Sequence, residues 1–98
     1  MAEIRWTEES ERWLRNIYDY IVADNPDAAR KVLSGIYEKA RILQNFPGFG
    51  HKYRTEDEGE VRVLLYGHYR IVYLLRFPEI LDILGVFHGA LDLDRYIP

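Results

Sequence analysis

At 98 residues the chain is a single domain, of a size that buries roughly 60–70% of its unfolded surface and folds without staples. It has no cysteines, which removes disulfides and thiolate metal sites and fits a reducing cytosol. A formal net charge of −3 argues against a partner held mainly through nucleic-acid phosphates, whose affinity needs a basic stripe.

The charged start M-A-E-I-R-W excludes a signal peptide, and no stretch approaches the ~20 apolar residues of a membrane span. The expectation is a soluble, cytoplasmic protein. Glu3 to Trp6 reads as a short strand. Thr7 offers an N-cap hydroxyl, with Glu8 and Glu9 placed to complement the helix dipole. Leu14, Ile17 and Ile21 recur at helical spacing, with Trp13 and Tyr20 widening the stripe, so the first helix should run from Glu8 to Val22. Asp24-Asn25-Pro26 ends it and caps a second helix, with proline at a position where its missing N–H costs nothing. Ala29, Val32, Leu33, Ile36, Ala40 and Leu43 mark its buried side up to Phe46-Pro47. The link is too short for anything but an antiparallel helical hairpin.

Pro47-Gly48-Phe49-Gly50 is a turn, and the polar stretch to Glu60 reads as a mobile loop. The sequence then turns apolar. Val61 to Arg76 gives two strands around Gly67-His68, a pair with glycine at the first central position of a type II′ turn. That turn sets Tyr66 opposite Tyr69, Leu64 opposite Ile71 and Arg62 opposite Tyr73. One face carries Arg62, Leu64, Tyr66, Tyr69, Ile71, Tyr73 and Leu75. The other carries Val61, Val63, Leu65, Arg70, Val72, Leu74 and Arg76. Phe77-Pro78 turns the chain again, and Glu79 to His88 forms a third long strand in which Gly85 signals a bulge. The tail from Gly89 to Pro98 has room for one helical turn.

The architecture is α+β, β-α-α-β-β-β, with the helical hairpin along one face of a small, mainly antiparallel sheet. Two helices cannot roof both faces. The second, bearing Arg70, is left to the tail, to a sheet closing on itself, or to another molecule. An open apolar face of that kind marks an interaction surface. Eight tyrosines suit such a surface, since tyrosine buries area while keeping a hydrogen-bonding tip.

Four strings, in this order and spacing, resemble the RelE/ParE superfamily of bacterial toxins, and more closely its ParE-like, plasmid-stabilisation branch. They are W-T-x-x-S with I-x-x-Y-I, N-P-x-A-A, F-P-G-x-G, and Y-R-I-V-Y followed by V-F-H-G-A-L-D. The resemblance spans nearly the whole chain. It implies a toxin neutralised by a cognate antitoxin whose extended segment and helix wrap it. In the ParE branch the implied target is DNA gyrase, held by protein contacts. In the RelE branch it is messenger RNA, cleaved in the ribosomal A site.

The two branches need different side chains. RNA cleavage requires a base, an acid and cations for the phosphate charge. Here the Tyr-Arg arginine is Arg70, the positions of the first hairpin strand sharing its face are Val61, Val63 and Leu65, and the stretch His88-Gly89-Ala90-Leu91 after the last strand holds no arginine. A ribonuclease would have to use Arg70, His88 and Tyr96. A protein-binding inhibitor would use Arg62, Tyr69, Arg70, His88, Asp92, Arg95 and Tyr96 toward antitoxin or target. Each also has a plain reading. Arg70 can pair with Asp82 across the sheet, Arg62 can stack on Tyr66 and Tyr73, His88 can cap a strand end, and Tyr96 can pack on the sheet. Asp92, Asp94 and His88 lack a full ligand set, so neither metal nor cofactor is expected. A third reading is an antitoxin-binding remnant without toxicity.

Overall fold

The computed structural model describes residues 1–89 and 91–97. Strand β1 (Glu3–Trp6) leads into helices α1 (Glu8–Val22) and α2 (Pro26–Arg41), followed by a single 3₁₀ turn at Ile42–Gln44. Strands β2 (His51–Glu56), β3 (Gly59–Tyr66), β4 (Tyr69–Arg76) and β5 (Ile80–His88) come next, and a second 3₁₀ turn spans Leu93–Arg95. The sheet order is β1-β5-β4-β3-β2, with β1 parallel to β5 and the other pairs antiparallel.

Local chemistry explains where the helices begin. The Thr7 hydroxyl accepts from Ser10 N at 3.1 Å and donates to the Ile83 carbonyl at 2.6 Å, so one side chain caps α1 and ties it to β5. Asn25 Oδ1 accepts from Ala28 N at 3.0 Å, and Pro26 opens α2. The central hairpin has the register expected of it: Tyr66 opposes Tyr69, Leu64 Ile71 and Arg62 Tyr73. Gly67 takes φ 57°, the left-handed value that the first central position of the turn demands. The pairing of β4 with β5 slips between Val72 and Tyr73, leaving Leu84 as the extra residue beside Gly85.

Two expectations change. The polar stretch after Gly50 is not a loop but the edge strand β2. It carries no apolar alternation because its outer side meets water, and charged edge strands resist pairing with other chains. The second sheet face, read as an interaction surface with the tail as one of three possible covers, is roofed by the chain's own tail. Leu93 and Ile97 are buried against Val61, Val63, Val72, Leu74 and Phe87. On the opposite face Leu14, Ile36 and Leu43 cover Leu64, Ile71, Tyr73, Leu75, Leu81, Ile83 and Val86.

The turn at residues 47–50 is held by two strand side chains. The Tyr73 hydroxyl donates to Pro47 O at 2.7 Å and accepts from Gly50 N at 3.0 Å. Arg62 Nη1 donates to Gly48 O at 3.1 Å and Gly50 O at 2.6 Å, while its Nε reaches Glu60 at 3.0 Å. Arg62 therefore serves the turn, and this contact replaces the expected aromatic stack. A Cβ at position 50 would lie 2.8 Å from Val63 O, so glycine is required by close approach.

Removing the Tyr73 hydroxyl strands the Gly50 N–H and the Pro47 carbonyl. Tyr73→Phe should cost about 1–3 kcal/mol in urea unfolding. Burial also pushes the Tyr73 phenol above its usual value, which is about 10. The unfolded chain then releases this proton first as the pH rises. The contribution is complete below about pH 10 and is lost as the pH climbs toward the raised folded value. Urea midpoints should fall more steeply above that pH in the wild-type chain than in Tyr73→Phe; equal slopes would contradict the assignment.

Candidate functional site

The tail roof is fastened by polar as well as apolar contacts. Arg70 Nη2 donates to the Leu91 carbonyl, and the Tyr53 hydroxyl donates to the Asp94 carboxylate. The latter bond raises the Tyr53 pKa, since it favours the protonated phenol. Asp92 Oδ1 caps the 3₁₀ turn by accepting from Asp94 N at 3.2 Å. Tyr96 stands edge-on to Trp13 at 5.3 Å and lies 5.8 Å from Phe87. Trp13 in turn meets Phe87 edge-on at 4.5 Å. One tryptophan from α1 thus reaches the side of the sheet that the helices do not roof.

It can do so because β1 is short. Its pairing with β5 stops at Trp6–Ile83, so among the described residues the outer edge of β5 from Leu84 onward has no strand beside it. Between helix α1 and the adjoining ends of β4 and β5 lies a groove of about 460 Å³. Trp13, Asn16, Ile17 and Tyr20 line one wall, and Tyr69, Val86, His88 and Leu91 complete it. Tyr20 is 85% exposed, so it belongs to the rim of the groove rather than to the buried stripe. The His88 ring lies 6.0 Å from Tyr69 and stacks on His68 at 6.2 Å. An apolar trough of this kind accepts an extended segment whose side chains fill it.

The sequence-predicted residues therefore separate into three places. Tyr69 and His88 share the groove. Arg70, Asp92 and Tyr96 hold the tail, with Arg95 exposed on its 3₁₀ turn. Arg62 is two strands away at the turn. Since Tyr69 pairs with His88 and Arg70 with Phe87, side-chain alternation along β4 sends Arg70 and His88 to opposite faces. Asp82 is taken by Arg76 at 2.6 Å, with Glu58 on the same guanidinium at 2.5 Å, so Arg70 does not pair with it. Among the described residues no group of three or more His, Asp or Glu side chains is placed to hold a metal ion. No described helix is long and apolar enough to cross a membrane.

The groove wall on α1 was the part missed by sequence reasoning. Its signal was present in the i, i+4, i+7 spacing of Trp13, Ile17 and Tyr20, which reads equally well as core.

Comparison with known proteins agrees with this architecture. The sequence profile of the ParE toxin of type II toxin-antitoxin system, parDE, matches residues 4–93. A protein of Sinorhizobium fredii (strain NBRC 101917 / NGR234) named "Putative toxin Y4kP" is 36% identical over 86 residues, 88% of this chain and 86% of that protein. Among solved structures, the chromosomal ParDE TA system from P. aeruginosa superposes with a TM-score of 0.73 at 25% identity, covering 90% of this chain and 96% of that one. The toxin-antitoxin complex RelBE2 from Mycobacterium tuberculosis gives 0.60 at 22% identity, covering 89% and 96%, and is similar in fold.

If the tail is a structural roof, trimming it must cost stability. Leu93→Ala should lower the unfolding free energy by about 2–5 kcal/mol, the usual range for a buried leucine. Denaturant midpoints measure this; an unchanged midpoint would mean that the tail is only laid against the sheet.

Proposed function

Because the chain belongs to the ParE toxin family of type II toxin–antitoxin systems, we propose that it acts by gripping a protein target, DNA gyrase, and not by cutting RNA. The observation that carries this reading is the employment of its strand arginines. Arg62 holds the 47–50 turn, Arg70 holds the tail and Arg76 lies between Asp82 and Glu58. A ribonuclease would need such cations turned toward one phosphate. Arg70 and His88 leave the sheet from opposite faces, so they cannot converge on one.

The cognate antitoxin, on this reading, silences the toxin by laying an extended apolar segment into the groove between α1 and the outer edge of β5. Tyr69, His88 and Tyr20 contact it directly. Arg70, Asp92, Arg95 and Tyr96 contribute by fixing or presenting the tail beside it. Affinity comes mainly from buried aromatic and aliphatic surface, with charge setting orientation. Both partners and the target meet in the cytoplasm, and no cofactor is required.

Two measurements test the proposal. Toxin freed from antitoxin should inhibit gyrase supercoiling at micromolar concentration, while translated messages show no codon-phased cuts by primer extension. Untouched supercoiling would remove the gyrase assignment, and phased cuts would restore the ribonuclease. Separately, Tyr20→Ala should weaken antitoxin binding about tenfold to a hundredfold without shifting the unfolding midpoint, because the side chain is mostly in water. Unchanged affinity in titration calorimetry would place the antitoxin elsewhere.

A further inference from the structure

The 46–50 turn is built more rigidly than a surface connection requires. Tyr73 and Arg62 fix its backbone at Pro47, Gly48 and Gly50 from 12 to 26 residues away in sequence. Within it Phe49 N donates to Phe46 O at 2.9 Å, and Phe46 N to Ile42 O at 3.1 Å. What this scaffold displays is apolar. Phe46 and Phe49 are 62% and 59% exposed, and Ile42, which opens the 3₁₀ turn after α2, is also exposed. A slack loop would fold its two rings back onto the protein to escape water; a clamped one cannot. Exposed apolar side chains scattered singly need no explanation, but here two rings three residues apart on one clamped turn stand mostly in water. Lys39 Nζ lies 5.8 Å from the Phe49 ring centre, and among the described residues Lys39 makes no ion pair.

Rigid aromatic side chains are the commonest energetic anchors of protein interfaces, and fixing them beforehand removes the ordering cost of association. We infer that this turn is the contact with which the toxin seizes its cellular target. The partner is a folded protein offering an apolar cleft for Phe46 and Phe49, with a carboxylate on its rim to receive Lys39. This rests on the reading of the chain as a protein-binding toxin, and it separates the target surface from the antitoxin groove. The turn leads into β2 at one edge of the sheet, whereas the groove follows β5 across β4 and β3.

The test compares induced wild-type toxin with the double variant Phe46→Ser/Phe49→Ser and with Lys39→Glu, reading viable counts and capture by the cognate antitoxin. Antitoxin capture and thermal midpoint should match wild type in both variants. Loss of viable cells should shrink at least tenfold in the double variant and severalfold in Lys39→Glu. Wild-type killing by variants that still bind antitoxin would overturn the inference. So would parallel loss of killing and antitoxin capture in the surface variant Lys39→Glu, since the turn would then belong to the antitoxin's footprint. Killing by wild-type toxin that spares gyrase supercoiling would sink the gyrase reading and leave the turn standing.

Discussion

The β3–β4 hairpin is greasy on both sides, and that single constraint organises the molecule. Leu64, Ile71, Tyr73 and Leu75 look one way, and Val61, Val63, Val72 and Leu74 the other, nearly all of them out of water. A strand pair of this composition is stable only between two covers. Two helices supply one. The other is assembled from what remains after β5, a short tail whose Leu93 and Ile97 reach into the sheet while Arg70 and Tyr53 hold its polar groups. Trp13 stands where the covers meet, touching Phe87 and Tyr96 past the short strand β1.

On the proposed reading, function is displaced to the rim as a result. With both faces spent, the proposed contact surfaces are the groove between α1 and the end of β5 and the aromatic turn ahead of β2. The same economy governs charge. Arginines that a nuclease would aim at phosphate are employed as internal fasteners. Two of them end on backbone carbonyls, Arg70 on Leu91 and Arg62 on Gly48 and Gly50. On the proposed reading, a partner is met mostly through rings and aliphatic side chains.

Much of this was readable before any coordinates. The hairpin register followed from one glycine, both helix starts from Thr7 and Asn25, and the irregularity in β5 from Gly85. Strand β2 was not readable, because His-Lys-Tyr-Arg-Thr-Glu has no apolar alternation and owes its conformation to its neighbour. The roof was readable only as one of three possible covers. Leu93 and Ile97 are two apolar residues in a polar tail, too few to announce a buried segment. Arg62 and Arg70 were placed on the right faces, but their roles depend on carbonyl oxygens, which leave no trace in a sequence. The groove escaped because a helix stripe that lines a trough has the same spacing as one that fills a core.

Hydrogen exchange on the toxin, alone and with its antitoxin bound, tests the central claim most directly. Complex formation should slow exchange in α1 around Trp13–Tyr20 and along β5 from Leu84 to His88, while the amides of Leu93–Ile97 keep the protection they have in the free protein. If instead the tail amides lose protection and new protection appears along Val61–Val63 and Val72–Leu74, the tail is a displaceable cover and the sheet face beneath it is the true docking surface.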